Sequence, residues 1–317
     1  MGYAAESRGF SAPLSPPSMS PLTVIAGCGY LGSALARELL ASGHPVLALT
    51  RQEASVAALA AAAIPALACD LGDAASVAAV AAAVGPAPLR VVHCAASGRG
   101  GRAEQYRAVY LQGCRHLRAA FPQALGFFFT SSTSVYSQIA GEIVAESSPA
   151  EPDRETGRIL RQTEEETLAA GGLVGRLAGI YGPGRSFLLK NFLEGQAAID
   201  VRTEAPATPD GRWVNQIHVR DAARAILHLL DLDPSRRLWN IADSTPLLQR
   251  SLYQRLSQRF SRSLPPEALP DLDRKRGWTH KQVSNAQLLA SGWDPLYPDW
   301  FQALENDPAF LPSIAAL

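Results

Sequence analysis

A chain of 317 residues, 47% hydrophobic and 18% charged, suits one large or two modest globular domains with ample apolar material for a core. Its 29 basic and 29 acidic residues cancel, which argues against nucleic acid or an acidic membrane surface as a partner. No apolar run reaches spanning length, and the four cysteines, at 28, 69, 94 and 114, lack Cys-x-x-Cys spacing, so reduced thiols in a cytoplasmic, metal-free protein are expected.

Residues 1–20, rich in Ser and Pro, read as a disordered extension. Leu22 to Ala26 is a short apolar run with β-branched residues at its centre, which suits a buried parallel strand. Gly27, Gly29 and Gly32 then form Gly-x-Gly-x-x-Gly. Leu31, Ala34, Leu35 and Leu39 follow at helical spacing, and Ser42-Gly43 supplies a stop. Each glycine answers a physical need. Gly27 permits the tight turn, Gly29 lets a pyrophosphate approach the backbone, and Gly32 lets the helix pack closely on the strand. The helix start then points unsatisfied N–H groups at the phosphates, with Tyr30 and Leu31 in its first turn. A dinucleotide site is the expectation.

Pro45 to Thr50 reads as the second strand. A NAD-selective site places a carboxylate about twenty residues past the glycine motif, to bind the ribose 2′-hydroxyl. Here Thr50 and Arg51 stand there. A hydroxyl beside a guanidinium suits a 2′-phosphate, so NADP is expected, with NAD as the alternative. Helices over about 54–63 and 74–83 flank a third strand at Ala66 to Asp70. Leu89 to Cys94 is the fourth, followed by Ala95-Ala96 and a Gly/Arg loop. Residues 103–120 form a long helix, Gly126 to Ser131 the fifth strand, and Gly172 to Leu177 the sixth. This alternation implies right-handed crossovers and an α/β, Rossmann-type doubly wound parallel sheet. Beyond Tyr181 the rhythm breaks, apart from an amphipathic helix from Asp221 to Leu232. The expected organisation is a dinucleotide-binding domain over 21–180 and a smaller mixed substrate region over 181–317, of which 214–242 returns to the Rossmann core.

These motifs together resemble the extended short-chain dehydrogenase/reductase superfamily, the NAD-dependent epimerases and dehydratases, over about residues 22–300. Asp70-Leu71 matches the pair that contacts the adenine, and Val91 to Ala96 the strand-four motif, which implies that Cys94, Ala95 and Ala96 line the cofactor. Thr130 to Tyr136 is similar to the strand-five serine motif, with Ser132 on the catalytic serine. Arg176 to Arg185 matches the strand-six motif beside the nicotinamide, Ile217 to Asp221 the Ile-His-Val-x-Asp helix start, and Asn240 to Ala242 the late strand.

The family's chemistry rests on a Tyr-x-x-x-Lys helix, in which the lysine and the ribose lower the tyrosine pKa for proton exchange. In the corresponding frame this chain has Thr156 and Leu160, and no Tyr-x-x-x-Lys occurs in it. Neither residue can do that chemistry. The arginine that holds a sugar-nucleotide diphosphate is likewise replaced, by Val214, with Arg212 nearby, which disfavours such a substrate. Ser132 remains a candidate to bind a substrate carbonyl. Tyr136 and His218 are candidates to replace the dyad, each with packing as the plainer reading. The tryptophans read as core or lid packing, and Glu164-Glu165-Glu166 as a solvated helix face.

The resemblance thus implies an atypical NADP-dependent oxidoreductase or epimerase-like enzyme on a small carbonyl or hydroxyl compound. The alternative is a catalytically silent NADP(H)-binding sensor or scaffold. The helices 103–120 and 156–170, which pair in family dimers, are heavily charged in the second, so a monomer or weak homodimer is expected.

Overall fold

The computed structural model describes residues 20–98, 101–232, 235–272 and 278–315. All of the expected extension except Ser20 therefore lies outside the described residues, as do Arg99 and Gly100 of the Gly/Arg loop.

Seven strands form the central sheet: β1 (Leu22–Ala26), β2 (Val46–Thr50), β3 (Ala66–Ala68), β4 (Leu89–His93), β5 (Gly126–Ser132), β6 (Leu173–Leu177) and β7 (Leu238–Ile241). Their order is β7-β6-β5-β4-β1-β2-β3, and every pairing is parallel. The reversal of order beside β1 and β4 makes a crevice at the carboxyl ends of those strands, where α/β sheets bind ligands. β1 has side chains in two cores: Ile25 packs in one, Val24 and Ala26 in another. That explains why its sequence is apolar but for Thr23, as suits a strand covered on both faces.

Helices flank the sheet. α1 (Tyr30–Ala41) packs against Val219–Asp231, while Ala74–Val84, the helical segment 103–120 and Glu155–Ala169 pack side by side. The segment 103–120 departs from the single regular helix that its periodicity predicts. Between α-helical ends it carries wider π-helical turns over Arg107–Gln112. His93, fully buried at the end of β4, places Nε2 2.9 Å from the Val109 carbonyl oxygen inside that stretch. A side chain bonding into the backbone ladder accounts for the irregularity.

Past β6, Gly179–Tyr181 pairs in parallel with Gln216–His218, and Val219–Asp231 then leads into β7. A separate apolar cluster, including Tyr181, Phe192, Ile199, Leu252, Trp300 and Phe310, holds Phe187–Leu193, Gln249–Phe260, Trp300–Asn306 and Phe310–Ala315 together, while Val283 and Leu288 pack in the core with Ile25. Lys281–Val283 pairs with Glu142–Val144, with Lys281 opposite Glu142. That pairing ties a C-terminal segment to the loop after β5. Among the described residues, no helix is long and apolar enough to cross a membrane.

Candidate active site

The glycine cradle is built by backbone. Gly27 has φ +95°, and a Cβ there would lie 2.2 Å from the Ala95 Cα, so neither conformation nor space admits another residue. A Cβ on Gly32 would lie 2.5 Å from the Gly27 carbonyl oxygen, the close helix–strand approach the motif requires. Gly29 is different. Nothing lies within 4 Å of its Cβ position, and no side chain caps the α1 N-terminus behind it. The open face of the motif is therefore the one where a phosphate would meet free N–H groups.

A cavity of about 720 Å3 extends from this cradle. Gly27, Gly29, Tyr30, Thr50, Arg51, Asp70, Leu71, Cys94, Ala95 and Ala96 all line it. Leu31 lines the adjoining cavity, and Gly32 supports the cradle from behind. Asp70 accepts the Gly72 N–H at 2.9 Å, which fixes the turn beyond β3. Tyr30 donates its hydroxyl to the Pro183 carbonyl at 3.0 Å, and its ring lies 5.2 Å from the Arg185 guanidinium carbon. It thus fastens the loop after β6 to the cradle, and burial pushes its phenol up to about 12. Gln105, Ala108 and Val109 also reach this cavity. The sequence offered no motif for them, because a distorted helix delivers them.

The space continues past β5. Cys94, Ala95 and Ala96 also line a cavity of about 120 Å3 together with Ser132, Leu160 and Leu177. Ser132 in turn borders a third, of about 240 Å3, walled by Arg212, Trp213, Asn215, Trp278, Thr279 and Lys281. A fourth, about 430 Å3, shares Leu160 with the second and Trp278 with the third, and it includes Thr156. Neighbouring cavities share walls, so a row of adjoining cavities, the cleft, runs from the glycine cradle to the C-terminal segment. Ser132 Oγ accepts the Ser134 N–H at 3.2 Å; among the described residues its own proton has no acceptor. Trp213 and Trp278 wall the cleft, which refines their reading as packing residues.

Beneath Ser132 lies a buried ion pair. Arg176 Nη2 donates to Glu164 Oε2 at 2.7 Å, and Arg176 Nη1 donates to the Tyr136 hydroxyl at 2.8 Å. Ser131 donates to Glu164 Oε1, and the Tyr136 hydroxyl lies 2.9 Å from both the Ala145 carbonyl and Asn240 Oδ1. Glu164 corrects the expectation of a solvated acidic face: it is fully buried, while Glu165 is exposed and Glu166 is paired with Arg115 on the neighbouring helix. Tyr136 has its hydroxyl taken up in this network, and burial holds its phenol above the ordinary range, with Arg176 pulling the other way.

His218 is also buried. Its Nδ1 accepts the Arg220 N–H at 3.4 Å, capping the helix, and its Nε2 lies 3.2 Å from Asp307 Oδ2. Burial lowers its pKa to about 4 despite the carboxylate, so the imidazole is neutral at pH 7.

Lys281, which sequence reasoning passed over, is buried in the cleft wall. Its Nζ donates to the Tyr136 carbonyl at 2.7 Å and to Thr279 Oγ1 at 2.9 Å. Burial, reinforced by Arg212 and opposed by Glu142, lowers its pKa from 10.5 to about 7.

The pattern that defines the NAD dependent epimerase/dehydratase family matches residues 23–242. No curated protein matches the sequence. Among solved structures, a Methylobacillus flagellatus protein provisionally described as an NAD-dependent epimerase/dehydratase is 28% identical, with TM-score 0.70; the match covers 94% of this chain and 100% of that one. UDP-glucose 4-epimerase of Thermus thermophilus, in complex with NAD, matches at 21% identity and TM-score 0.74 over 93% and 99% of the two chains. UDP-glucuronic acid 4-epimerase of Bacillus cereus, in complex with UDP-glucuronic acid and NAD, matches at 15% identity and TM-score 0.74 over 93% and 99%.

Proposed function

The chain belongs to the NAD dependent epimerase/dehydratase family, and on that premise we propose an NADP(H)-binding oxidoreductase or epimerase-like enzyme for a small carbonyl or hydroxyl compound. The observation that carries this reading is the row of adjoining cavities, from the open glycine cradle to a smaller chamber bordered by Ser132. When bound, the nicotinamide supplies or accepts a hydride. The protein's part is to bind and to orient. The N–H groups at Gly29 and the α1 start hold phosphate, and Arg51 with Thr50 favours the 2′-phosphate of NADP over a bare ribose. The Ser132 hydroxyl donates to a substrate oxygen. Leu160 and Leu177 keep water from the reacting end.

Sugar nucleotides remain disfavoured. Val214, in place of the usual arginine, is buried in the apolar cluster around Tyr181 and Trp300, and Arg212 Nε is bonded to Asp200 at 3.0 Å. The UDP-sugar epimerases above share the fold at an identity too low to carry their substrates over.

Thr156 and Leu160 within the cleft favour a second reading, a binding protein without turnover. NADPH fluorescence titration, followed by a screen of NADPH oxidation with aldehydes, ketones and quinones, separates the two. Binding with turnover supports the enzyme, and binding without turnover selects the sensor. Absence of binding overturns both.

A further inference from the structure

We propose that Lys281 exchanges the proton with the substrate oxygen held by Ser132, taking the part that the helix Glu155–Ala169 no longer supplies. The proposal rests on the reading of the cleft as an oxidoreductase site. It stands first on placement: Lys281 and Ser132 wall the same chamber of about 240 Å3. The amine is held there by the Tyr136 carbonyl and the Thr279 hydroxyl, which occupy two of the three donors of an ammonium. Among the described residues it has no ion-pair partner.

A lysine kept in such a place needs a reason. The chain has three lysines, at 190, 275 and 281, among 29 Lys and Arg residues. It meets almost every other need for a cation with arginine, which cannot give up its proton in a protein. The surroundings of Lys281 favour a proton that moves. The charged groups acting on it are Arg212 and Glu142, and Arg212 is itself engaged by Asp200. Burial and Arg212 together bring its pKa to about 7, near where a general acid–base group works best.

In the reductive direction, the carbonyl carbon gains a hydride, with dihydronicotinamide as the source of the electron pair. The carbonyl oxygen takes one proton from the Lys281 ammonium. The C=O π bond is replaced by a C–H and an O–H bond, giving an alcohol, the oxidised cofactor and a neutral amine. The amine recovers its proton from solvent. Oxidation of an alcohol runs the same steps backwards, with neutral Lys281 as the base.

The first test needs no turnover. The full-length protein, without cofactor, is acetylated with acetic anhydride from pH 5 to 11 and mapped by mass spectrometry, with N-acetyl-lysine amide as the internal standard. A midpoint of Lys281 reactivity near pH 7 is expected. A midpoint near 10 overturns the proposal, as does absence of acetylation at every pH, because substrate must also reach the amine. In the second, Lys281→Met and Lys281→Arg are compared with the wild type on any substrate found by the screen. Turnover should fall on the order of a hundredfold or more in both, with NADPH affinity unchanged within about twofold. Rescue by arginine would show that charge alone suffices and would overturn the proton-exchange role. Loss of NADPH binding by the wild type would instead overturn the oxidoreductase reading, whatever the labelling midpoint.

Discussion

The two ends of the cleft are built on different principles. The cradle is one contiguous stretch, Gly27 to Gly32, whose shape depends on what its residues lack: a Cβ at 27 and 32, and any obstruction at 29. The far end is assembled from side chains at 132, 156, 160, 212 and 281, carried by strands, a helix and loops that meet only after folding. A backbone site imposes spacing on the sequence and can be recognised there. A side-chain site imposes only proximity.

The largest effect tests the floor beneath Ser132. Glu164→Leu leaves Arg176 buried without its carboxylate and should destabilise the protein by about 3–5 kcal/mol in urea unfolding. Adding Arg176→Met should recover much of that loss. A cost below about 1 kcal/mol for the single variant would show that the pair does not brace the β5 tip.

Next is the cradle itself. Gly27→Ala forces a Cβ into a φ of +95° and against Ala95. Strain and overpacking together should cost roughly 3 kcal/mol of stability, read by the same unfolding experiment. A tolerated alanine would mean that the backbone at 27 can relax, and the contrast between the two ends would blur.

Lys281 gives the third effect. In the unfolded chain its amine holds a proton up to about 10.5, and in the folded one only to about 7. Between these values the unfolded state binds the extra proton, so the contribution to folding rises with pH. Relative to Lys281→Met, the wild type should gain at least about 1 kcal/mol of unfolding free energy from pH 7 to pH 10. A flat difference would place the lysine's folded pKa near its ordinary value.

Cofactor choice comes fourth. Arg51 lines the cavity and is exposed, next to Thr50. NADPH should bind at least about tenfold tighter than NADH, roughly 1.4 kcal/mol, and Arg51→Ala should erase most of the gap. Equal affinities in the wild type would remove the case for NADP.

The sheet was legible because strands covered on both faces are largely apolar, as β1 is but for Thr23 and β4 is at Leu89, Val91 and Val92, and because helical spacing separates them. The turn after β1 was legible because a positive φ at 27 and a close helix–strand approach at 32 dictate glycine. Three features were not. The π-helical turns at Arg107–Gln112 depend on His93, a residue from another strand. Glu164 looked solvated as part of an acidic run, yet consecutive helical residues point about 100° apart, so three in a row cannot all share the exposed face. Lys281 carried no motif. Its place depends on the pairing of Lys281–Val283 with Glu142–Val144, a long-range contact that no local pattern announces.

The smallest effect bears most directly on which side of the cleft moves the proton. On the proposed reading Thr156 and Leu160 stand in the frame of the Tyr-x-x-x-Lys helix, and both line one chamber of the cleft. An aliphatic hydroxyl is far too weak an acid to replace a phenol tuned by a neighbouring lysine, and Leu160 brings no charge to tune it. Thr156→Ala should therefore change turnover by less than about threefold, under roughly 0.7 kcal/mol in barrier height. Losing a working general acid or base costs about a hundredfold or more, so the two outcomes are well separated. Restoring Tyr and Lys at 156 and 160 need not create activity, because the groups that hold such a pair in line must be present as well. A hundredfold loss in Thr156→Ala, with NADPH binding and unfolding unchanged, would return the proton-transfer role to this helix and take it from Lys281.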